Sequence, residues 1–353
     1  MINLNDYGYT PFFQTQVSKE HLLPARVTGV HRERYIIITQ YGESGARLKG
    51  SVYYQGNQEV QYPTTGDFVS IEYNSNGDSI IYETLNRKSC FERSDDFSSR
   101  GVQTVAANFD YVFIMASLNC DFNVKRIQRY LTLAWQSGGV PVIVLTKADL
   151  SSNFDAQMRD VQRISSDVDV IAVSAKTGLG IDRLSDYLNK TKTLVFLGSS
   201  GVGKSSLVNA LAGEDIMAVN EIREDDSKGK HTTTHRQLIM LKSGVMIIDT
   251  PGMRELGMWD VSIGLGETFS DIESLVAMCK FSNCTHTNEP HCGVLAAIEN
   301  GTLEASRWEY YLQLKQEAKF TGDKMGYLKD KEQWQKEISK FQKRNKNAGR
   351  IRR

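Results

Sequence analysis

The chain has 353 residues, and 42 Lys plus Arg balance 42 Asp plus Glu, so it carries no formal net charge. At roughly 150 residues per domain, this length predicts two or three domains, and 40% hydrophobic with 24% charged residues is the balance of a soluble globular protein. Six prolines and five cysteines exclude global disorder and a dense disulfide framework, while zero net charge excludes a protein that is basic throughout.

Residues 1–21 form an N-terminal extension with neither a positive leader nor an apolar run of signal-peptide length. The longest apolar stretches, Tyr35 to Ile38, Val112 to Ala116 and Val140 to Leu145, fall far short of the ~20 residues that cross a bilayer. The expectation is a cytoplasmic protein with reduced thiols and no membrane partner. Residues 22–95 read as short strands broken by Gly- and Asn-containing turns: a run ending in Tyr35 to Thr39, then Arg47 to Tyr54, Asp67 to Tyr73 and Ser79 to Leu85. This spacing predicts a small barrel or sandwich. Arg26, Arg32, Arg34, Arg47 and Lys49 outnumber Glu33 and Glu43 there, and a small barrel with basic and aromatic faces suits single-stranded nucleic acid.

Across residues 100–262 the pattern changes. Apolar strands at Tyr111 to Ala116, Val140 to Leu145, Val168 to Val173, Thr193 to Leu197 and Val245 to Ile248 are joined by amphipathic helices at Val124 to Gln136, Phe154 to Ser165, Ile181 to Asn189 and Lys204 to Ala212. Alternation of this kind predicts a mostly parallel sheet covered on both faces. Residues 263–328 read as helical around a Cys/His knot. The tail, residues 329–353, carries ten Lys/Arg against three Asp/Glu and reads as a basic arm able to find phosphates.

The chemistry is most legible at Gly198-Ser199-Ser200-Gly201-Val202-Gly203-Lys204-Ser205, a full G-x-x-x-x-G-K-[ST] string between an apolar strand and a helix pattern. Glycines let successive backbone N–H groups turn onto phosphate oxygens, and the helix N-terminus adds positive potential. Lys204 is placed to reach the β- and γ-phosphates, and Ser205 to ligate Mg²⁺. Thr146-Lys147-Ala148-Asp149 follows another apolar strand and matches the guanine-reading [NT]-K-x-D element. A carboxylate at Asp149 accepts both N1–H and the 2-amino group of guanine, whereas adenine offers an acceptor at N1 and is repelled. Lys147 can lay its stem over the base. Ser174-Ala175-Lys176 stands where a backbone N–H would meet guanine O6. Asp249-Thr250-Pro251-Gly252 ends a further strand and fits D-x-x-G, with Asp249 on Mg²⁺ and the Gly252 N–H on the γ-phosphate. Among the switch threonines 232–234, Thr233 is assigned to Mg²⁺.

The order of these elements is itself informative. The base-reading segments precede the phosphate loop, which precedes the switches, so the domain is circularly permuted. Such permutation is tolerated where native termini lie close together. The second switch then leads directly into the C-terminal region, and γ-phosphate ordering of the switches could move that region. Met253 follows Gly252, where many GTPases carry a water-orienting glutamine. His231, beside the switch threonines, is the candidate catalytic group; a partner-supplied group and a merely exposed histidine are the alternatives.

Cys279, Cys284, His286 and Cys292 have the spacing C-x4-C-x-H-x5-C, and three thiolates with one imidazole suit a closed, structural tetrahedral Zn²⁺ site. His291 is an alternative ligand. Together, the permuted TKAD–SAK–GSSGVGKS–HTTT–DTPG order and this knot resemble the RsgA/YjeQ family of circularly permuted GTPases, over about residues 22–320. The resemblance implies an OB-fold barrel for residues 22–95, a permuted GTPase domain for 100–262 and a helical zinc-finger domain for 263–328. It assigns Gly198 to Ser206 (Ser206 included) and Thr146 to Asp149 to the nucleotide, Cys279, Cys284, His286 and Cys292 to zinc, and His231 to the position before the switch threonines. It further implies GTP/GDP with Mg²⁺, binding of the 30S subunit and 16S rRNA as a monomer, and GTP hydrolysis that assists late subunit maturation. The competing expectation is an RNA-binding module that uses GTP as a conformational label with negligible hydrolysis.

Overall fold

A computed structural model describes residues 1–322 apart from 18, 20, 32–33, 51–60, 95–101, 120–121, 152–153, 166, 218–235 and 250–260. The chain divides into two compact units, Met1–Leu256 and Gly257–Arg353.

The first unit begins with a 3₁₀ turn at Leu4–Tyr7 and a short helix α1 (Pro11–Gln14). Then come β1 (Leu23–His31), β2 (Arg34–Thr39), β3 (Gly42–Leu48), β4 (Phe68–Glu72) and β5 (Ser79–Thr84). These five pair in the order β1-β2-β3-β5-β4, and β4 returns to β1 through Leu23↔Ile71 to Arg26↔Phe68, so the barrel is closed. Closure removes the edges that an open small sheet would leave. Alternation turns Ala25, Val27, Tyr35, Ile37, Ala46, Leu48, Val69, Ile71 and Ile81 into one buried core. The extension before the barrel is part of this packing, not an appendage: Phe13 is buried against Phe68 and Leu85.

A hairpin of β6 (Cys90–Ser94) and β7 (Val102–Ala107) leads on to the α/β portion. There β8 (Tyr111–Ser117), α2 (Val124–Gln136), β9 (Val140–Thr146), α3 (Phe154–Ile164), β10 (Val170–Ala172), β11 (Thr193–Gly198), α4 (Lys204–Ala212), β12 (Arg236–Met240) and β13 (Met246–Asp249) follow in chain order. Strands β10-β9-β8-β11-β13 are parallel, and β12 is added antiparallel to β13. Phe113, Val142, Val144, Leu194, Phe196, Leu207, Val208 and Ile247 lie in its buried core. Such near-continuous apolar strands are what two-sided coverage demands. The expected helix at Ile181 to Asn189 is a 3₁₀ helix over Asp182–Tyr187.

Strand β12 was not legible beforehand, and it matters for the architecture. Its free edge pairs with β1 at Gly29↔Gln237 and Val30↔Arg236, so barrel and α/β sheet form one eleven-stranded sheet. Arg26 was expected on a basic face, but it is buried to 1% exposure at this junction. It donates to the carbonyls of Gly66 (3.2 Å), Tyr7 (2.5 Å) and Asn108 (3.0 Å) and to Thr193 Oγ1 (3.0 Å). Burial pushes it down to about 10, against the pull of Asp110 and Asp67, so the guanidinium is still charged at neutral pH.

The second unit contains α5 (Ser262–Thr268), α6 (Ser270–Ala277), α7 (Gly293–Glu299) and the long α8 (Ala305–Gly322). Among the described residues no helix is long and apolar enough to cross a membrane.

Candidate nucleotide site and metal centre

The phosphate loop leaves β11 at Gly198 and enters α4 at Lys204. Gly201 (φ 69°) and Gly203 (φ 100°) occupy the left-handed region that an L-residue avoids, which is why the sequence places glycine at both. Between them Val202 turns its side chain into the core, at 3% exposure, and its carbonyl toward the Thr146 hydroxyl. Ser200 and Gly201 are exposed, while Ser199, Lys204, Ser205 and Ser206 are half-buried. Lys204 Nζ ion-pairs with Asp249 Oδ1 at the end of β13, and that carboxylate is 5% exposed.

The base-reading segments arrive at the same sheet edge from β9 and β10. Thr146 ends β9, and Lys147 adopts a left-handed conformation (φ 57°, ψ 39°) that turns the chain sharply. Asp149 is thereby left exposed, and its Oδ1 accepts the hydroxyl of buried Ser174 at 2.6 Å. The Ser174 Oγ also accepts from Thr177 N–H (3.2 Å), and Ala148 N–H bonds Val173 O (3.1 Å). Ala175 is half-buried and Lys176 exposed beside them. Thr146 Oγ1 donates to Val202 O at 2.5 Å, so segments 146–149, 174–176 and 198–206 form one constellation. His231, Thr233, Thr250, Pro251, Gly252 and Met253 lie outside the described residues. The hydroxyl of Ser205 and the carboxylate of Asp249 are hard oxygen donors of the kind Mg²⁺ takes.

Asn209 was overlooked in the sequence. On α4, its amide donates to Met217 O (2.9 Å) and Asp215 Oδ1 (3.1 Å) and accepts from Met217 N–H (2.8 Å), fastening the chain after the helix. Its signal was a polar residue on an otherwise apolar helix face, 8% exposed.

In the second unit, one ligand atom each from Cys279, Cys284, His286 and Cys292 lies within 4.8 Å of the others. Tetrahedral zinc with Zn–S of about 2.3 Å and Zn–N of about 2.0–2.1 Å requires S···S of about 3.8 Å and S···N of about 3.6 Å. The cluster shows 3.8 Å between Cys279 Sγ and Cys292 Sγ, and 3.5 and 3.4 Å from His286 Nδ1 to those sulfurs. The donor set therefore fits zinc. His291, the alternative ligand, is exposed and stands outside the cluster. Burial pushes the Cys292 thiol up to about 12, a cost that a bound cation would offset.

Two further residues shape this knot. Glu289 accepts from the N–H groups of Thr285 (3.0 Å), Thr287 (3.0 Å) and Asn288 (3.1 Å) and from the Thr285 hydroxyl (2.5 Å). Trp308 on α8 meets the His286 ring edge-on at 5.3 Å and stacks on Tyr311 at 5.5 Å. The Tyr311 hydroxyl in turn donates to Glu273 on α6 at 2.5 Å. Neither residue belongs to a recognised spacing, so only the fold reveals them.

A guanine-type base site, a phosphate loop and a D-x-x-G strand, joined in permuted chain order on one parallel sheet, define a circularly permuted GTPase fold. The RsgA GTPase family profile matches residues 84–259. The chain is 44% identical over 323 residues to the small ribosomal subunit biogenesis GTPase RsgA 2 of Lactiplantibacillus plantarum, covering 91% of each. It is 46% identical over 314 residues to RsgA 1 of Listeria monocytogenes, covering 89% of each. Among solved structures, YjeQ from Thermotoga maritima aligns with a TM-score of 0.61 at 28% identity, over 83% of this chain and 97% of that one. YloQ, described as a circularly permuted GTPase, aligns at 0.60 and 26%, over 86% and 97%. The chain belongs to the RsgA GTPase family.

Proposed function

We propose that this chain is a GTPase that binds the 30S ribosomal subunit and assists its late maturation, hydrolysing GTP to GDP and phosphate with stimulation by the subunit. The observation that carries the enzymatic part is the Thr146–Val202 hydrogen bond, which sets the segment bearing Asp149 against the phosphate loop while Ser174 holds the Asp149 carboxylate. The ribosomal part rests on the names of relatives that match about nine-tenths of the chain.

In this reading Asp149 selects guanine, Lys147 covers the base, and the backbone at Ser174, Ala175 and Lys176 meets O6. Residues Gly198 to Ser206 cradle the phosphates. Lys204 exchanges its carboxylate partner Asp249 for the β- and γ-oxygens, and Gly252 contacts the γ-phosphate. Ser205, Thr233 and Asp249 would hold Mg²⁺, whose positive charge would offset the negative charge on the transferring phosphoryl group. His231 orients the attacking water in place of the glutamine that Met253 replaces. The Cys279–Cys284–His286–Cys292 set holds one structural Zn²⁺.

We assign domains at 22–95, 100–262 and 263–328, with an extension at 1–21 and a basic tail at 329–353. The barrel is an OB-fold that binds 16S rRNA, a reading supported by its β1-β2-β3-β5-β4 order closing on β1. The protein works as a cytoplasmic monomer.

GTP turnover with and without purified 30S subunits tests this. A large stimulation by 30S and none by 50S is expected. Tight GTP binding without turnover on 30S would replace the proposal with the nucleotide-labelled RNA-binding module, which Met253 favours.

A further inference from the structure

The outer face of the barrel carries an arrangement that folding stability does not explain. Asp78, preceding β5, accepts Arg34 at Oδ1 through Nε (3.1 Å) and Nη2 (2.8 Å), and Arg47 at Oδ2 through Nε (2.8 Å). The two arginine side chains remain 58% and 67% exposed, and exposed ion pairs contribute little to stability. Gly45, in mid-strand on β3, leaves room for these side-chain ends to lie close over the sheet. A Cβ on Gly45 would run into Asp78 Oδ1 and lie 2.7 Å from Arg34 Nη2. Glycine inside a strand often marks a close approach, here of the Asp78 and Arg34 side-chain ends, which a larger residue would displace.

One carboxylate thus engages two guanidiniums, and these three groups together carry one net positive charge. The hydrogen bond from Arg47, ahead of those from Arg34, holds the Asp78 carboxyl below the usual carboxylate range, so it stays ionised at working pH. The outward row on β3 runs through Glu43, Gly45 and Arg47, alternating with buried Ala46 and Leu48, and Lys49 follows the end of the strand. Lys49 Nζ sits 4.0 Å from the centre of the Tyr82 ring on β5, and Lys19 lies 5.6 Å from it. The Tyr82 hydroxyl is tied to Glu72 Oε2 at 2.7 Å, which sets the ring's orientation.

We propose that Arg34 and Arg47, oriented by Asp78, form a clamp for the phosphodiester backbone of single-stranded RNA, with Tyr82 as a base-stacking ring further along the same face. Guanidinium forks match phosphate oxygens in pairs, and aromatic rings flanked by cations stack bases without sequence preference. The proposal rests on the reading of the barrel as an RNA-binding module and adds its geometry: which two arginines act as a pair, that Asp78 orients them, and that the Tyr82 ring lies further along the same face.

The test is fluorescence anisotropy of a fluorescein-labelled twelve-nucleotide oligouridylate with the full chain across a salt series, beside co-sedimentation with 30S subunits. The Arg34→Gln, Arg47→Gln double variant should bind the oligonucleotide roughly tenfold more weakly and lose about 1.4 from the salt slope, two single-strand phosphates' worth. Tyr82→Leu should weaken binding with the slope unchanged. Asp78→Asn gives the decisive sign. It raises local positive charge by one, so an unoriented basic surface would bind RNA more tightly, whereas the clamp loses its orientation and binds more weakly. GTP affinity and melting temperature should match wild type in all three. Tighter binding by Asp78→Asn, wild-type binding by the double variant, or a wild type that holds 30S but not the oligonucleotide would each overturn the clamp. A wild type that does not sediment with 30S subunits would instead remove the RNA-binding reading beneath it.

Discussion

The hydroxyl of Thr146 donates to the carbonyl of Val202 across 56 residues of chain, at 2.5 Å. One atom at the end of β9 thereby sets the phosphate loop against the base-reading segment. Both groups are buried, Thr146 at 4% and Val202 at 3% exposure, so water cannot substitute for either. A buried carbonyl deprived of its donor costs about 1–3 kcal/mol.

Thr146→Val keeps the shape and removes the donor. GTP affinity should fall about tenfold, and Thr146→Ser should recover most of it. Equilibrium binding of a fluorescent GTP analogue to both variants checks this; equal affinity in the valine variant would show that the loop holds itself.

Asp149→Asn should reverse base preference. Guanine presents two donors to the carboxylate, while xanthine presents a carbonyl in place of the 2-amino group, which an amide N–H can meet. Charge-assisted hydrogen bonds contribute roughly 1.5–3 kcal/mol each, so losing them should cost about 10²-fold or more in GTP affinity. Competition with XTP measures the gain, and an unchanged GTP preference would remove Asp149 from the base site.

Arg26→Met tests the junction of barrel and α/β sheet. The variant leaves the carbonyls of Tyr7, Gly66 and Asn108 and the hydroxyl of Thr193 without their shared donor. A buried acceptor left without its donor costs about 1–3 kcal/mol, and of the four Gly66 O keeps a second donor, Asn108 Nδ2. Urea unfolding should show that loss, and Arg26→Lys, with fewer donors in a different geometry, should fall between the two.

Zinc removal by chelation should release one metal per chain and unfold the second unit while GTP binding persists, because 261–322 and the nucleotide residues belong to different compact units. Trp308, 5.3 Å from the His286 ring, should report the loss as a fluorescence change absent in Trp308→Phe. Elemental analysis finding no zinc in the freshly purified protein would remove the assignment.

Glu289 gives a pH signature. Burial works against its ionisation, but the Thr285 hydroxyl and the amides of Thr285 and Asn288 hold it down to about 2, from an ordinary 4.5. A depressed folded value means stability present above pH 4.5 and lost as the pH falls from there toward 2. The stability difference between wild type and Glu289→Gln should be at full size above pH 4.5 and shrink as the pH falls below it, read only at pH values where metal analysis shows zinc still bound to both, since protons displace it from the thiolates. A difference independent of pH would show the carboxylate is not held in its charged form.

The sequence alone determined the chemistry that resides in short strings. The phosphate loop, TKAD, SAK and the Cys/His knot announce themselves because glycine, lysine, carboxylate and thiolate are needed at fixed local spacing, and their permuted order is visible without any fold. The α/β strands were legible too, since strands buried on both faces read as unbroken apolar runs. Only the tertiary structure decided how these pieces meet. Strand β12 is short, and its place between β13 and β1 follows from edge pairing that no local pattern encodes. Arg26 looked like surface charge because composition cannot tell an arginine facing water from one surrounded by carbonyls contributed from residues 7, 66 and 108. Asn209, Glu289 and Trp308 likewise act through partners brought together by packing. Local covalent spacing writes the reacting groups into the chain, whereas burial and hydrogen-bond satisfaction are properties of the whole fold.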